Sequence, residues 1–113
     1  MSLLIVDTLP EAIAPDTALA AIDLGAPELR IAFPAFSDGR GFSLAAILRR
    51  AGFAGRLIAS GDLIPDQYRM ALRAGFDAVE VSAAKAERCD WEGWLARNPL
   101  PAESYQSRLR ARA

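Results

Sequence analysis

A short polar loop at residues 35–43 holds the residue types best suited to binding an anion. It contains Asp38, Gly39, Arg40, Gly41 and Ser43. Backbone N–H groups of such a loop, together with the N-terminus of a following helix, can surround an anion, and Arg40 would add positive charge. We therefore treat these residues as candidate ligand-binding residues. The alternative is a tight Asp38–Gly39 turn in which Ser43 caps the helix and no ligand binds.

Two carboxylates form a second candidate group, because Asp62 and Asp66 follow the short apolar segment Leu57–Ser60. Carboxylates paired at the end of a strand can act as a general acid and a general base, so both are candidate catalytic residues. Gly61 and Gln67 lie beside them and are candidate ligand-binding residues. The alternative is that these carboxylates cap a helix and face solvent in a loop.

Composition excludes several kinds of chemistry. The chain has no histidine and one cysteine, Cys89. Catalytic systems that need histidine, zinc sites built from histidine or several thiolates, and an internal disulfide are therefore excluded, and no metal site is assigned. Gly39-x-Gly41, followed at a distance by Asp62, matches part of the dinucleotide-binding fingerprint, but Leu44 occupies the third glycine position. The cofactor therefore stays unknown.

The charge balance and the apolar segments indicate the cellular setting. Thirteen basic residues against fourteen acidic ones give a net charge of -1, which argues against nucleic acid as a partner. No apolar run reaches the length of a bilayer span, and the first residues lack the basic region of a signal peptide. We expect a cytoplasmic protein of one domain with no membrane partner.

The central part of the chain alternates between strand and helix patterns, which predicts an α/β fold with a parallel sheet. The predicted strands are Leu29–Phe33, Leu57–Ser60 and Ala78–Val81. The first predicted helix buries Leu44, Ile47, Leu48 and Ala51 on one face. The second begins at Pro65. The last carries Trp91, Trp94 and Leu95, is capped by Asp90 and ends at Asn98–Pro99. The first two helices end in a repeated pattern, Arg50-Ala51-Gly52-Phe53 and Arg73-Ala74-Gly75-Phe76.

Residues 28–106 are thus expected to form a βα-repeat domain, preceded by an N-terminal segment, 1–27, and followed by a basic tail, 107–113. In the N-terminal segment, Leu3–Val6 could add an edge strand and Asp16–Ile22 a short helix. Parallel strands bring their carboxyl ends to one edge of the sheet. Loops 35–43, 61–67 and 82–85 would then gather the polar candidates, with Lys85 added to those named above.

Two resemblances extend this interpretation. Ile58–Gln67, followed by Ala71–Val79, resembles the seventh βα unit of phosphate-binding TIM barrels, which implies a phosphate contact at Gly61; Asp62, however, replaces the second glycine of that pattern. A complete barrel needs about 250 residues. With 113 residues, the chain could form an open sheet of three or four strands, or part (about half) of a TIM-type barrel that a second copy completes. An open sheet edge favours a homodimer.

The wider pattern is similar to the bacterial domain-of-unknown-function family 934. It reads Phe33-Pro34-x-Phe36-x-Asp38-Gly39-Arg40-Gly41-Phe42-Ser43-x-Ala45-x-x-Leu48-Arg49, then Gly55-x-x-x-Ala59-x-Gly61-Asp62-Leu63-x-x-Asp66-Gln67, Arg73-x-Gly75-Phe76-Asp77-Ala78 and Tyr105-Gln106. Members commonly carry arginine where this chain has Ile58 and cysteine where it has Ala74.

Members of this family are labelled oxidoreductases, and their genes lie beside those of assimilatory sulfite or nitrite reductase. The resemblance therefore implies a role in reductive sulfur assimilation, with sulfite reductase subunits as partners. Because histidine, paired cysteines and a complete nucleotide fingerprint are lacking, we expect an accessory or binding protein without its own redox cofactor. The alternatives are a small enzyme that binds an anionic small molecule at the carboxyl ends of the strands, and a structural subunit that lends its open sheet edge to a partner.

Overall fold

A computed structural model describes residues 2–35 and 37–97. The strands are β1 (Ser2–Val6), β2 (Glu28–Phe33), β3 (Arg56–Gly61) and β4 (Ala78–Ser82), and the helices are α1 (Arg40–Arg50), α2 (Tyr68–Ala74), α3 (Ala83–Arg88) and α4 (Trp91–Arg97). Single 3₁₀ turns lie at Leu19–Ala21 and Pro65–Gln67. The predicted stop at Asn98–Pro99, Tyr105–Gln106 of the family pattern, and the basic tail lie outside the described residues.

The strands form one parallel sheet in the order β1-β4-β3-β2. The α/β fold with a parallel sheet is therefore confirmed. Strands β2, β3 and β4 are neighbours in chain order, as consecutive strands of a barrel are. β1 instead lies beyond β4, where Leu4 is aligned with Glu80, so the sheet differs from four consecutive barrel strands.

One face of the sheet carries the main core. Ile31, Leu57 and Val79 point to this face from neighbouring strands and share one apolar cluster with buried residues of all four helices. Residues on alternate strand positions point to the other face, where Leu4, Ile58 and Ala78 form a small separate cluster. The helices therefore pack on one face, as right-handed crossovers between neighbouring parallel strands require.

The repeated Arg-Ala-Gly-Phe pattern forms the same helix end twice. Gly52 and Gly75 adopt positive φ angles of 100° and 109°. The next residue then turns back, because Phe53 N donates to Leu48 O and Phe76 N donates to Ala71 O, each at 3.0 to 3.1 Å. This is the glycine-terminated helix end expected from the sequence.

Several local predictions need correction. Ile47 is 40% exposed, because the buried stripe of α1 is Gly41, Leu44, Ala45 and Leu48; this choice of stripe also leaves Ala51 exposed. The segment 16–22 contains only the 3₁₀ turn at Leu19–Ala21. Residues 83–85, taken as part of a loop, belong to α3, because Ser82 Oγ accepts from Lys85 N at 3.2 Å and caps a helix of good helix formers.

Candidate functional site

Asp38 and Arg40 form a hydrogen-bonded ion pair, called the Asp38–Arg40 clasp below, at the start of α1. Arg40 Nε donates to Asp38 Oδ1 at 2.9 Å, and Arg40 Nη2 donates to Asp38 Oδ2 at 2.6 Å. The backbone N of Arg40 also donates to Asp38 Oδ1 at 3.1 Å. These side-chain and backbone hydrogen bonds lower the pKa of Asp38 to about 2, because they stabilise the charged carboxylate.

Arg40 also faces a second carboxylate, since its Nη1 lies 3.7 Å from Asp16 Oδ2. The hydrogen bonds to Asp38 raise the pKa of Arg40 above its usual value. Its side chain nevertheless stays 56% exposed. The guanidinium group is thus accessible, but its charge is already balanced by carboxylates of the same chain.

The small residues of this loop have different roles. Gly39 lies at the N-cap with φ -85° and with open space around it. Gly41 is buried, and an added Cβ would collide with the ring of Phe33, so this glycine is required for packing. Ser43 is exposed in the first turns of α1. The predicted Ser43 cap is therefore wrong, because the helix begins before it, at Arg40.

A shallow groove of about 290 Å³ runs along this end of α1. It is lined by Pro15, Asp16, Thr17, Arg40, Ser43, Leu44 and Ile47. Ile47, which is 40% exposed, supplies accessible apolar surface, whereas Leu44 is buried. Arg40 and Asp16 supply opposite charges. The groove therefore combines an exposed apolar side chain with an ion pair, which suits a protein segment better than a small anion.

The carboxyl ends of β3 and β4 bring Asp62 and Lys85 together. Lys85 Nζ lies 2.5 Å from Asp62 Oδ1, although the residues are far apart in sequence. The Lys85 side chain is only 12% exposed, whereas that of Asp62 is 41% exposed. Asp62 is thus the accessible member of an ion pair, and its charge is matched by a lysine that is largely shielded from water.

Gly61 allows β3 to approach β2 at this edge. Its φ is 135°, and an added Cβ would lie 2.5 Å from Phe33 O. The following residue fixes the same contact, since Asp62 N donates to Phe33 O at 2.8 Å. Close packing of two strand ends therefore accounts for the glycine.

The remaining candidates belong to the turn that precedes α2. Gln67 Oε1 accepts a hydrogen bond from Ile64 N at 3.1 Å and so caps the turn that Pro65 begins. Asp66 is exposed in the first turn. The structure thus brings Asp62 to Lys85, and it gives Gln67 a capping role.

Sequence reasoning missed a polar network on the face of the sheet opposite the helices described above. Glu80 is 1% exposed and accepts hydrogen bonds from Arg30 Nε at 3.0 Å and from Ser60 Oγ at 2.9 Å. Burial opposes the charge of Arg30, but hydrogen bonds and proximity to Glu80 and Glu28 outweigh it and raise the pKa of Arg30. A charged residue at the centre of an otherwise apolar strand was the available signal.

The opposite, amino end of the sheet holds another part of the family pattern. Arg49 donates to Gly75 O at 2.9 Å, to Phe53 O at 3.0 Å and to Gly55 O at 2.9 Å. Its Nη2 also donates to Asp77 Oδ2 at 2.8 Å, and the same Oδ2 accepts from Leu57 N. Asp77, retained from the family pattern, therefore joins helix ends to strand starts, away from the carboxyl edge.

Residues 2–35 and 37–97 contain no group of three or more acidic, cysteine or histidine residues placed to hold a metal ion. Within the same residues, every helix is too short or too polar to cross a membrane.

Comparison with known proteins gives one match. Residues 9–113 match the family described as "Bacterial protein of unknown function (DUF934)". No curated protein and no solved structure matches the chain significantly.

Proposed function

We propose that this chain, which belongs to the DUF934 family of bacterial proteins, is an accessory or binding protein of reductive sulfur assimilation without its own redox cofactor. The link to sulfite reduction is what the resemblance to this family implies. Assimilatory sulfite reductase subunits are the proposed partners. In this proposal the protein is cytoplasmic.

The observation that carries the proposal is the charge pairing at the carboxyl edge. Arg40 faces Asp38 and Asp16, and Lys85 faces Asp62. An enzyme acting on sulfite would have to bind an anion, and a cation already paired with a carboxylate attracts an anion weakly. The groove beside Arg40 instead offers apolar and polar surface to a protein partner.

The test is affinity co-purification of the tagged chain from sulfate-grown native cells, followed by mass spectrometry. We expect sulfite reductase subunits in near-stoichiometric yield. Ile47→Asp introduces a charge on the exposed apolar wall of the groove and should reduce that yield at least tenfold. Arg50→Glu, on an exposed position in the last turn of the same helix, is the matched control and should leave the yield unchanged.

Recovery of the chain without these subunits would contradict the proposal. So would turnover of sulfite or of a nicotinamide cofactor by the purified chain alone, because an accessory protein without a redox cofactor cannot catalyse either reaction.

A second candidate function is a small enzyme, an oxidoreductase as the family is labelled, that binds an anionic small molecule at the carboxyl ends of the strands. The Lys85–Asp62 pair favours it, because an accessible carboxylate beside a shielded lysine is a usable acid or base. In this function Arg40 would bind the anion, and Asp62 or Asp66 would transfer the proton.

Calorimetric titration with sulfite, nitrite and phosphate separates the two functions. The enzyme hypothesis predicts binding that Arg40→Ala weakens at least tenfold without unfolding the chain. If none of these anions binds the wild type, the enzyme hypothesis is contradicted, because it requires an anionic substrate. The accessory function then remains as the proposal.

A further inference from the structure

The two outer strands of the sheet are protected to different degrees. Outside β2, Ile13 forms a parallel bridge, in which Ile13 N donates to Arg30 O at 2.9 Å and Ala32 N donates to Ile13 O at 2.8 Å. β1 is the other outer strand and pairs with β4 alone within residues 2–35 and 37–97. The described part of the chain therefore covers one edge and leaves the other available.

The available edge lacks the usual devices that prevent strand pairing. After Ser2, β1 reads Leu3-Leu4-Ile5-Val6, without charge, proline or glycine. Edge strands of monomeric proteins usually carry a charged residue, a proline or a bulge, because unpaired main-chain N–H and C=O groups otherwise pair with another strand. The edge formed by β1 is therefore suited to a partner strand.

We propose that this partner is β1 of a second copy, paired antiparallel across a two-fold axis. Head-to-tail addition would need a free outer edge on β2, which Ile13 occupies. Pairing of two β1 strands uses the β1 edge of both copies, so no β1 edge is left for a third copy. The product is therefore a dimer rather than a filament. The net charge of -1 produces little repulsion between copies.

The register that pairs all of β1 centres on Leu4. Leu4 then lies opposite Leu4 of the second copy, Leu3 opposite Ile5, and Ser2 opposite Val6. Leu4 is 8% exposed and belongs to the small cluster with Ile58 and Ala78. The dimer extends this cluster across the axis, because residues directly opposite in an antiparallel pair lie on the same face.

This inference is independent of the proposed sulfite reductase interaction, and it is tested on the purified full chain. Sedimentation equilibrium over about 1 to 500 μM should show a monomer–dimer equilibrium, since short strand pairs give weak interfaces. The double variant Ser2→Lys/Val6→Lys places like charges opposite each other twice and should raise the dissociation constant at least tenfold. The matched variant Ser2→Lys/Val6→Glu places opposite charges there and should restore most of the affinity.

A monomer throughout this range would overturn the proposal and leave the edge to another occupant. A dimer equally affected by both double variants, or by neither, would overturn the antiparallel register. Circular dichroism checks that each variant is folded.

A cross-link supplies an independent readout. In a Cys89→Ser background, Leu4→Cys should form an intermolecular disulfide under mild oxidation, because directly opposite Cα atoms lie about 4.5–5.5 Å apart. Leu9→Cys, on an exposed position outside the strand, should cross-link at least tenfold more slowly. Equal rates would contradict pairing at β1.

Discussion

At the scale of single residues, the carboxyl edge is defined by charges that neutralise one another. Asp38 binds both the side chain and the backbone of Arg40, and Asp62 faces Lys85. These contacts fix the positions of side chains that a ligand site would need. They also mean that any anion must compete with a carboxylate already in place.

The Asp38–Arg40 clasp should make stability depend on pH in the acid range. The pKa of Asp38 is about 2 in the folded chain and about 4 in an unfolded one. A carboxyl whose pKa is lowered on folding contributes stability that is present above its unfolded pKa and is lost as the pH falls toward its folded pKa. The Asp38 contribution is therefore lost between about pH 4 and pH 2.

Urea unfolding at several pH values checks this prediction. Asp38→Asn should be less stable than the wild type above pH 4, and the difference should shrink as the pH falls to 2. Asp66→Asn, which removes an exposed carboxylate from a turn, is the control and should retain the wild-type decline. A constant difference for Asp38→Asn between pH 4 and pH 2 would contradict the clasp.

Arg49 should be the most sensitive arginine of the amino end. Arg49→Ala removes the side-chain donor to three carbonyl groups and one of the two donors to Asp77 Oδ2, so we expect the free energy of unfolding to fall by about 2–4 kcal/mol. Arg49→Lys should recover less than half of this loss, because one ammonium group cannot reach all four acceptors. Arg50→Ala, on the exposed neighbour, is the control and should change the free energy of unfolding by under about 0.5 kcal/mol. Chemical denaturation measures both variants. An equal effect of the two alanine variants would contradict the structural role of Arg49.

At the scale of elements, the glycines that end α1 and α2 share a positive φ angle but differ in their surroundings. An alanine Cβ at Gly52 would meet nothing within 4 Å, whereas one at Gly75 would lie 2.7 Å from Arg49 Cγ. Gly52→Ala should therefore cost only the positive-φ strain, about 1 kcal/mol. Gly75→Ala should cost roughly 2–3 kcal/mol, because crowding is added to the strain.

Thermal and urea unfolding of the two glycine variants measures the difference. In an Arg49→Ala background the crowding is absent, so Gly75→Ala should cost no more than Gly52→Ala does. If the excess persisted in that background, Arg49 would not be its cause.

Local patterns predicted most of the elements. Strands β2 to β4, helices α1 and α2 and both glycine ends follow from apolar spacing and from Gly and Pro positions. α3 was also readable, since Ser82 precedes a run of good helix formers. The position of β1 beside β4 was not, because the pairing of distant strands leaves no mark in the local sequence.

The candidate site was predictable to a similar extent. Topology predicted that the polar candidates of three loops gather at the carboxyl edge, because parallel strands align their ends. Of these candidates, Asp62 and Lys85 meet there, whereas Arg40 pairs with Asp38 and Asp16. The packing of Gly41 under Phe33 and the pairing of Arg30 with Glu80 depend on tertiary contacts. Sequence spacing alone does not reveal either.

At the scale of the whole molecule, the Arg30–Glu80 pair joins β2 to β4 across β3. Glu80→Ala should lower the free energy of unfolding by about 1–3 kcal/mol, because Arg30 and Ser60 lose their buried acceptor while Arg30 keeps its contact with Glu28 and stays 26% exposed. The double change Arg30→Met/Glu80→Leu removes both charges and should recover most of that loss.

A double-mutant cycle in urea provides the measurement. Arg56→Ala is the control, since the Arg56–Glu28 pair is 3.7 Å apart and exposed, and it should cost under about 1 kcal/mol. Additive effects of the Arg30 and Glu80 changes would contradict direct coupling between them.

The order of strands also has a consequence for the chain as it leaves the ribosome. Strands β2, β3 and β4 can associate as each emerges, since neighbours in space are neighbours in sequence. β1 is made before these three strands, yet its partner is residues 78–82, so it stays unpaired until those residues have been synthesised. Its leucine-rich segment is exposed during that interval, when nascent strands are most prone to aggregate. Association of the first strand is therefore the step at which synthesis rate and chaperones would most affect the yield of folded protein.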